Sequence, residues 1–262
     1  MNKIRAFFRL ILLFSVTLID LIYVFILNKL FKKEVVWGME FRKRVWAAQM
    51  MKIGAIVIES EAVKPAGAHL IAVNHRSSID PLINLADILC YPIAKIEFSK
   101  WPIIGFGAAQ TGIVFVDRSS KESKLATRQA IADTIKAGMN VLIYPEGMTG
   151  DGDLTRTFKK GSFEVAAQYG LPVLPVAMEY KEREDNWDHS ENFVQHFFKR
   201  FGKRKTVIKL RYGTPIVSDN SWTLLRQSQK WINHQIEDMR SDWDGPNWKR
   251  EVVQDKVNSS AS

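Results

Sequence analysis

From Phe7 to Leu27 the chain reads FFRLILLFSVTLIDLIYVFIL, apolar at nearly every position. As a helix this run is about 30 Å long, close to one hydrocarbon thickness. Two charges interrupt it, Arg9 near the start and Asp20 well inside. A carboxylate near the bilayer centre costs about 2.5–3.5 kcal/mol on insertion scales, which weakens the case for a clean span. Lys3, Arg5 and Arg9 gather at one end, and Lys29, Lys32 and Lys33 at the other. The positive-inside rule therefore assigns no orientation to a single crossing. Two basic ends suit a segment that dips into one leaflet and keeps both ends on the same side. A cleaved signal peptide is disfavoured, since no small-x-small site follows. A buried soluble helix is disfavoured too, because the run is apolar on every side.

The stretch Glu34 to Ile53 reads as a second helix, with Arg42, Lys43 and Arg44 breaking it in the middle. Trp37 and Trp46 suit an interfacial depth. Two helices lying in the membrane face are expected over a spanning anchor. Across 262 residues the hydrophobic share is 46%, too apolar for disorder. A mean hydropathy near zero is too polar for a polytopic membrane protein. The net charge of +9 suits an anionic partner, whether nucleic acid, membrane surface or phosphorylated substrate. The single cysteine, Cys90, excludes an intramolecular disulfide framework and a cysteine-based structural zinc site.

Beyond residue 53, short apolar runs alternate with longer helix-like segments, the pattern of a layered α/β domain with a sheet flanked by helices. Strands are expected at Ala55–Glu59, His69–Val73, Ile93–Phe98, Ile113–Val116, Asn140–Tyr144, Val173–Glu179 and Thr206–Tyr212. Helices are expected at Pro81–Cys90, Lys121–Ala137, Gly161–Tyr169 and Ser221–Met239. Three regions result: membrane-associated helices over 1–53, a catalytic domain over 54–240, and a polar, fraying tail over 241–262.

In IAVNHRSSIDP a strand is followed by polar residues and then by Pro81 in a first helical turn. Across such a turn, His75 and Asp80 can meet as imidazole and carboxylate. That contact fixes the tautomer and raises ring basicity, as a general base near neutral pH requires. Open α/β sheets place ligands at strand carboxyl ends, where this pair sits. The plainer alternative is that Asp80 caps the helix and His75 is an ordinary loop residue. Spacing alone favours that alternative.

Four ordered blocks over residues 70–178 change this balance. The first is Asn74-His75-Arg76-Ser77-Ser78-Ile79-Asp80. The second, AKIEFSKWPIIGFGAAQTGIVFVDR, carries Lys95, Glu97, Pro102, Gly105, Gly112, Phe115, Asp117 and Arg118. The third joins Pro145-Glu146-Gly147 to Phe158-Lys159-Lys160-Gly161, and the fourth is LPVLPVAM with Pro172 and Pro175. In these blocks the chain resembles the glycerolipid acyltransferases, the 1-acyl-glycerol-3-phosphate acyltransferases and their relatives. The resemblance implies that family's mixed α/β sheet behind an N-terminal pair of membrane-docking helices. It places the protein at a membrane, as in bacterial members on the cytoplasmic face of the inner membrane.

It also implies acyl transfer from a thioester on coenzyme A or acyl carrier protein to the free hydroxyl of a lysolipid. For lysophosphatidic acid, acylation at the sn-2 hydroxyl gives phosphatidic acid. His75 would remove the hydroxyl proton while Asp80 orients the ring, with no acyl-enzyme, cofactor or metal. Backbone amides near the histidine turn or Gly147 would stabilise the oxyanion. Lys95, Arg118, Glu146, Gly147, Thr149 and Lys159 are the candidate substrate-binding residues.

One departure bears on the acceptor. The family's third block reads E-G-T-R-S, and here Thr149 stands where that arginine would be. A guanidinium grips phosphate oxygens in pairs; a threonine donates one hydrogen bond and neutralises nothing. Either Arg118, Lys95, Arg156 or Lys159 compensates, or the acceptor lacks a phosphomonoester, as a lysophospholipid or lyso-aminolipid does.

Ser77 and Ser78 lack a G-x-S-x-G elbow and read as capping or turn residues. His189, His196 and His234 show no metal-site spacing. The basic run Phe197–Arg211 carries Lys199, Arg200, Lys203, Arg204, Lys205, Lys209 and Arg211 without an acid. It suits an anionic lipid surface or an acidic donor, with a solvated face as the plainer reading. No nucleic-acid motif accompanies it. Two other functions stay open: a non-catalytic membrane lipid-binding protein and a thioester hydrolase.

Overall fold

The computed structural model describes residues 2–60, 64–117 and 119–245. Nine α-helices and seven strands are found among them. The chain begins with α1 (Lys3–Phe31), α2 (Val35–Phe41), a π-helical segment (Arg42–Ala47) and α3 (Ala48–Gly54). Then follow β1 (Ile56–Ser60), β2 (Leu70–Val73), α4 (Asp80–Asp87), β3 (Cys90–Lys95), α5 (Pro102–Thr111) and β4 (Val114–Val116). Next come α6 (Lys121–Lys136), β5 (Asn140–Ile143), α7 (Gly161–Tyr169) and β6 (Val173–Tyr180). The described chain ends with α8 (Phe193–Phe201), β7 (Thr206–Tyr212) and α9 (Ser221–Asp244).

The strands form one sheet in the order β1-β7-β6-β2-β5-β3-β4. All neighbours are parallel except β6 and β7, so the sheet is mixed, as expected. Leu70 of β2 lies opposite Val141 of β5 and Val173 of β6, which makes β2 central and brings the ends of β2, β5 and β6 side by side. Alternation sorts the side chains between two cores. Ile71, Val73, Leu142, Leu174, Val176 and Met178 face Met50, Ile83 and Phe201 from α3, α4 and α8. Leu70, Ala72, Val141, Ile143 and Ala177 face Ile131, Phe163 and Ile232 from α6, α7 and α9. Each of the Val, Leu, Ile, Met and Phe side chains among these, fully buried, contributes about 1.5–3 kcal/mol.

Helix α1 buries one stripe, Ala6, Leu13, Thr17, Asp20 and Val24, and leaves most of its other apolar side chains exposed. It is long and apolar enough to cross a membrane by length and composition. Yet it is fastened to the domain along its length. Arg9 donates to the carbonyls of Phe201 at 3.2 Å and Lys203 at 2.6 Å. Trp46 Nε1 donates to Thr17 Oγ1 at 3.0 Å, and Asn28 Nδ2 to Gln110 Oε1 at 2.6 Å. These ties lay α1 alongside the sheet's helical layer.

Several local expectations need correction. The α-helix is interrupted at Arg42, Lys43 and Arg44 as expected, but the chain stays helical there through a π-helical segment that joins α2 to α3. Arg42 turns inward, where its guanidinium donates to the carbonyls of Thr111 and, at 2.6 Å, Cys90. The π-helical segment there accommodates the inward turn. Helix α4 ends at Asp87 and Cys90 opens β3, so that strand begins three residues earlier than expected and ends at Lys95. Pro92 is tolerated because β4 pairs with β3 only from Ile93 onward. Ile96–Lys100 is a 3₁₀ turn rather than strand. Helix α9 continues to Asp244, four residues into the expected tail, and the rest of the tail, 246–262, lies outside the described residues.

Candidate active site

The end of β2 is extended by a side chain. Asn74 Nδ2 donates to the Met178 carbonyl and Asn74 Oδ1 accepts the Met178 N–H, both at 2.7 Å. Its amide thus imitates one further residue of pairing with β6 and fixes where the chain leaves the sheet. His75 follows immediately, at the carboxyl edge.

His75 Nδ1 lies 2.7 Å from Asp80 Oδ2. The same oxygen accepts the N–H groups of Arg76 at 2.6 Å and Ser77 at 2.8 Å, while Oδ1 accepts the Tyr180 hydroxyl at 2.5 Å. Asp80 is fully buried, and every one of these partners donates to it. An ionised carboxylate only accepts, so the proton of neutral His75 belongs on Nδ1 and the lone pair on Nε2. The Tyr144 ring stacks on the imidazole, with centroids 4.1 Å apart, and holds its plane. Asn84 Nδ2 donates to the Tyr144 hydroxyl at 3.0 Å. Burial first, and then the Asp80 charge, push the Tyr144 and Tyr180 hydroxyls well above the usual phenol value. Both stay neutral. The imidazole itself keeps 18% of its side chain exposed.

Glu146, just past β5, is buried and accepts the His75 N–H at 2.7 Å and the Arg156 N–H at 2.6 Å. Burial raises its carboxyl above the usual range, and those two bonds oppose the rise. Gly147 has φ +77, and Lys159 lies where a Cβ would be, so a larger residue meets both strain and contact. The Gly147 N–H donates to the Tyr144 carbonyl and the Gly150 N–H to the His75 carbonyl. The expected oxyanion role for amides near the histidine turn and Gly147 is thereby weakened. The N–H groups of His75, Arg76, Ser77 and Gly147 are already committed within the fold.

Thr149 is only 2% exposed, and its hydroxyl lies 2.8 Å from His189 Nε2. His189 belongs to the loop between β6 and α8, whose Trp187 N–H donates to the Arg76 carbonyl at 2.7 Å. Trp187 packs against the His189 ring, and Ser78 Oγ lies 2.7 Å from His196 Nδ1 of α8. Ser78 is therefore held by a buried histidine rather than presented as a nucleophile. The Lys159 and Arg156 side chains are exposed beside the Pro145-Glu146-Gly147 turn, and neither side chain forms an ion pair among the described residues. Lys95 is exposed at the end of β3 on the same sheet edge, apart from the His75 group. Arg118 lies outside the described residues. Among the described residues no cluster of His, Cys, Asp and Glu is placed to hold a metal ion.

Three further residues complete the floor. Arg76 is buried and donates to Glu179 Oε2 at 3.0 Å and to the Gly152 carbonyl at 2.6 Å. Arg240 of α9 donates to the other Glu179 oxygen at 2.6 Å. This Arg76–Glu179–Arg240 triad ties the histidine turn, the end of β6, α9 and the loop after Thr149 into one unit. Only Arg76 lies inside a recognisable motif; Glu179 and Arg240 carry no sequence signal beyond being charges in apolar surroundings.

Residues 55–179 match the Acyltransferase family. The chain is 33% identical over 132 residues to a 1-acyl-sn-glycerol-3-phosphate acyltransferase of Neisseria gonorrhoeae, covering 49% of this chain and 52% of that protein. It is 32% identical over 139 residues to a lyso-ornithine lipid O-acyltransferase of Pseudomonas aeruginosa, covering 53% of each. The chain thus spans about half the length of the curated relatives it matches. The crystal structure of a 1-acyl-sn-glycerophosphate (LPA) acyltransferase from Thermotoga maritima superposes with a TM-score of 0.70 at 16% identity. That match covers 93% of this chain and all of the other. The shared fold thus includes the region of the N-terminal helices as well as residues 55–179.

Proposed function

We propose that this protein moves a fatty acyl chain from a thioester, on coenzyme A or acyl carrier protein, to a lysolipid hydroxyl at a membrane surface. The observation that carries the reading is the His75–Asp80 pair, held so that Nε2 is the free basic nitrogen beside exposed cations. His75 Nε2 takes the proton of the acceptor hydroxyl as its oxygen attacks the thioester carbonyl. The C–S bond breaks as the ester C–O bond forms, and the imidazolium returns the proton to the leaving thiolate. Asp80 holds the ring and offsets its transient charge. General-base help of this kind supplies about 10²–10⁴-fold, and holding the two substrates together supplies more. Arg156 and Lys159 lie beside the site as cations for an anionic head group or for the donor's phosphates.

The membrane surface enters through α1, whose exposed side includes Phe8, Leu12, Ile19 and Ile26. The favoured acceptor is lysophosphatidic acid at its sn-2 hydroxyl, giving phosphatidic acid, in keeping with the names of the Neisseria and Thermotoga proteins. A second acceptor reading is supported by Thr149. Its hydroxyl is engaged by His189, leaving no guanidinium at that position for a phosphomonoester. The Pseudomonas relative is named for a lyso-ornithine lipid, and a lyso-aminolipid of that kind fits such a site.

The test is direct. Purified full-length protein in detergent receives labelled acyl-coenzyme A or acyl carrier protein with lysophosphatidic acid, lysophospholipids and lyso-ornithine lipid. Transfer to one acceptor class supports the reading and names the acceptor. Release of free fatty acid alone indicates a hydrolase. No turnover with any pair, or unchanged turnover in His75→Ala, sinks the proposal.

A further inference from the structure

The basic run between Phe197 and Arg211 is divided by the fold. Lys209 and Arg211 pair with Asp242 of α9 at 3.1 and 2.9 Å, and so serve the far face of the sheet. Arg200 and Lys203 both meet buried Asp185, the latter at 2.9 Å. The remaining charge faces elsewhere. Arg204 joins Arg5 of α1, Lys199, Arg200, Lys203 and Glu184 around a cleft of about 470 Å³ between the start of α1 and the end of α8. Lys199 pairs with Glu191 at 3.5 Å, Arg200 and Lys203 with Asp185, and Lys203 also holds Glu184 at 3.0 Å, so the unneutralised cations of the cleft are Arg5 and Arg204. Arg5 and Arg204 have no acidic partner among the described residues.

Positive charge accumulates here at a cost. The Arg9 guanidinium is pushed below its ordinary value by burial and then by neighbouring Arg5. The nearby carbonyls do not remove the excess: Arg9 already occupies those of Phe201 and Lys203, and Arg5 reaches that of Gly202 at 3.3 Å. Arg5 is followed on its own face of α1 by Phe8 and Leu12, which are 64% and 50% exposed. A cationic cleft thus opens directly onto an exposed apolar ridge. A phosphate joined to acyl chains has that profile; a free anion has no use for the ridge, and an acidic protein helix has little.

We propose that this cleft binds the phosphate of an anionic membrane lipid, at a site separate from the His75 centre, and so fixes how α1 sits on the bilayer. The site rests on the reading that α1 lies at a membrane surface, and its test separates the two. Binding of the full chain is measured on phosphatidylcholine vesicles, with and without phosphatidylglycerol. The double variant R5Q/R204Q is compared with K29Q/K33Q, which removes the same charge from the other end of the helix region. Each surface cation is worth about fivefold to general attraction, so a discrete site requires R5Q/R204Q to lose at least about tenfold more than the control on anionic vesicles. Both variants should bind neutral vesicles as the parent does. Equal losses overturn the site while leaving the membrane reading intact. Failure of the parent chain to bind either vesicle overturns both. Displacement from anionic vesicles by millimolar inorganic phosphate would assign the cleft to a free anion and overturn the lipid. Should R5Q disturb α1, R204Q alone decides, since that side chain has no charged partner to lose; parental binding by R204Q on anionic vesicles overturns the site.

Discussion

Asp80 Oδ2 lies 2.7 Å from His75 Nδ1 while it also accepts two backbone N–H groups of the turn between them. One carboxylate therefore both builds the loop and sets the histidine's tautomer. The two roles can be separated by mutation. His75→Ala removes the base and leaves the turn's N–H bonds to Asp80 in place, so turnover should fall about 10²–10⁴-fold with little change in melting temperature. Asp80→Asn should lower both, because an amide nitrogen turned toward a donor leaves buried groups unpaired. The double variant should lose no more activity than the worse single one, as groups acting as a unit do. Steady-state kinetics beside thermal melts checks all three.

Tyr180 donates to the other Asp80 oxygen from inside the core, 2.5 Å away. Tyr180→Phe keeps the ring and deletes that donor, leaving a buried carboxylate oxygen short of a partner. A loss of about 1–3 kcal/mol in unfolding free energy is expected. Activity should fall as well, with kcat affected more than KM, because the hydroxyl supports Asp80 rather than touching the acceptor. Parental stability in Y180F would mean that water replaces the hydroxyl.

How far the chain discloses itself in advance depends on the range of the interaction. The strands lining the site were legible because Leu70-Ile71-Ala72-Val73 and Val173 to Tyr180 are short apolar runs bounded by turn residues. The His75–Asp80 contact was legible as a spacing, and persuasive only beside the other motif blocks. Helix α5 escapes notice because IIGFGAAQT is apolar or small all round and shows no helical stripe. Helix α8 did carry a signal, the Asn192 and Gln195 capping box, which is overshadowed by the basic residues that follow. Tyr180, Glu179 and Arg240 could not be found from sequence. Their partners lie 61 to 103 residues away, and nothing local distinguishes a buried arginine from a solvated one.

Glu179 lies between two buried guanidinium groups, and its removal should be costly. Glu179→Gln leaves Arg76 and Arg240 facing each other without the intervening negative charge. Breaking a buried ion pair from one side typically costs about 3–5 kcal/mol. Because Arg76 also holds the carbonyls of the Gly152 loop, limited proteolysis should open that loop in E179Q before global unfolding. Denaturant unfolding in detergent, followed by fluorescence, measures the first effect. An E179Q protein as stable as the parent would show that the triad contributes no net stability.

Asp20 provides a pH test. It lies on the buried stripe of α1, its Oδ2 has no hydrogen-bond partner among the described residues, and burial raises its carboxyl above the ordinary 3.8. A folded value above the unfolded one means that folding favours the protonated form. That contribution is complete below the ordinary value and lost as pH rises through the raised one. At neutral pH, burial of the charge therefore works against the fold. Asp20→Asn should raise the melting temperature at pH 7 and lose that advantage in acid, below the ordinary aspartate value. A gain independent of pH, or none at neutrality, counts against this account.

Thr149 is where acceptor choice is most open to redesign. Its hydroxyl is satisfied by His189 Nε2 at 2.8 Å, and the exposed Arg156 side chain runs past neighbouring Gly150. Thr149→Val keeps the volume and breaks only the bond to His189, so it should change KM for the acceptor without reducing kcat severely. Thr149→Arg must push His189 aside, but adds a fork of donors suited to a phosphomonoester. A charge-assisted bond is worth about 1.5–3 kcal/mol, which predicts a rise of about tenfold or more in preference for lysophosphatidic acid over acceptors lacking that group. The ratio of kcat/KM between the two acceptor classes is the measurement. If T149R remains folded and active but leaves that ratio unchanged, position 149 does not face the acceptor head group. Selection would then have to come from Arg156, Lys159 or the loop that carries His189.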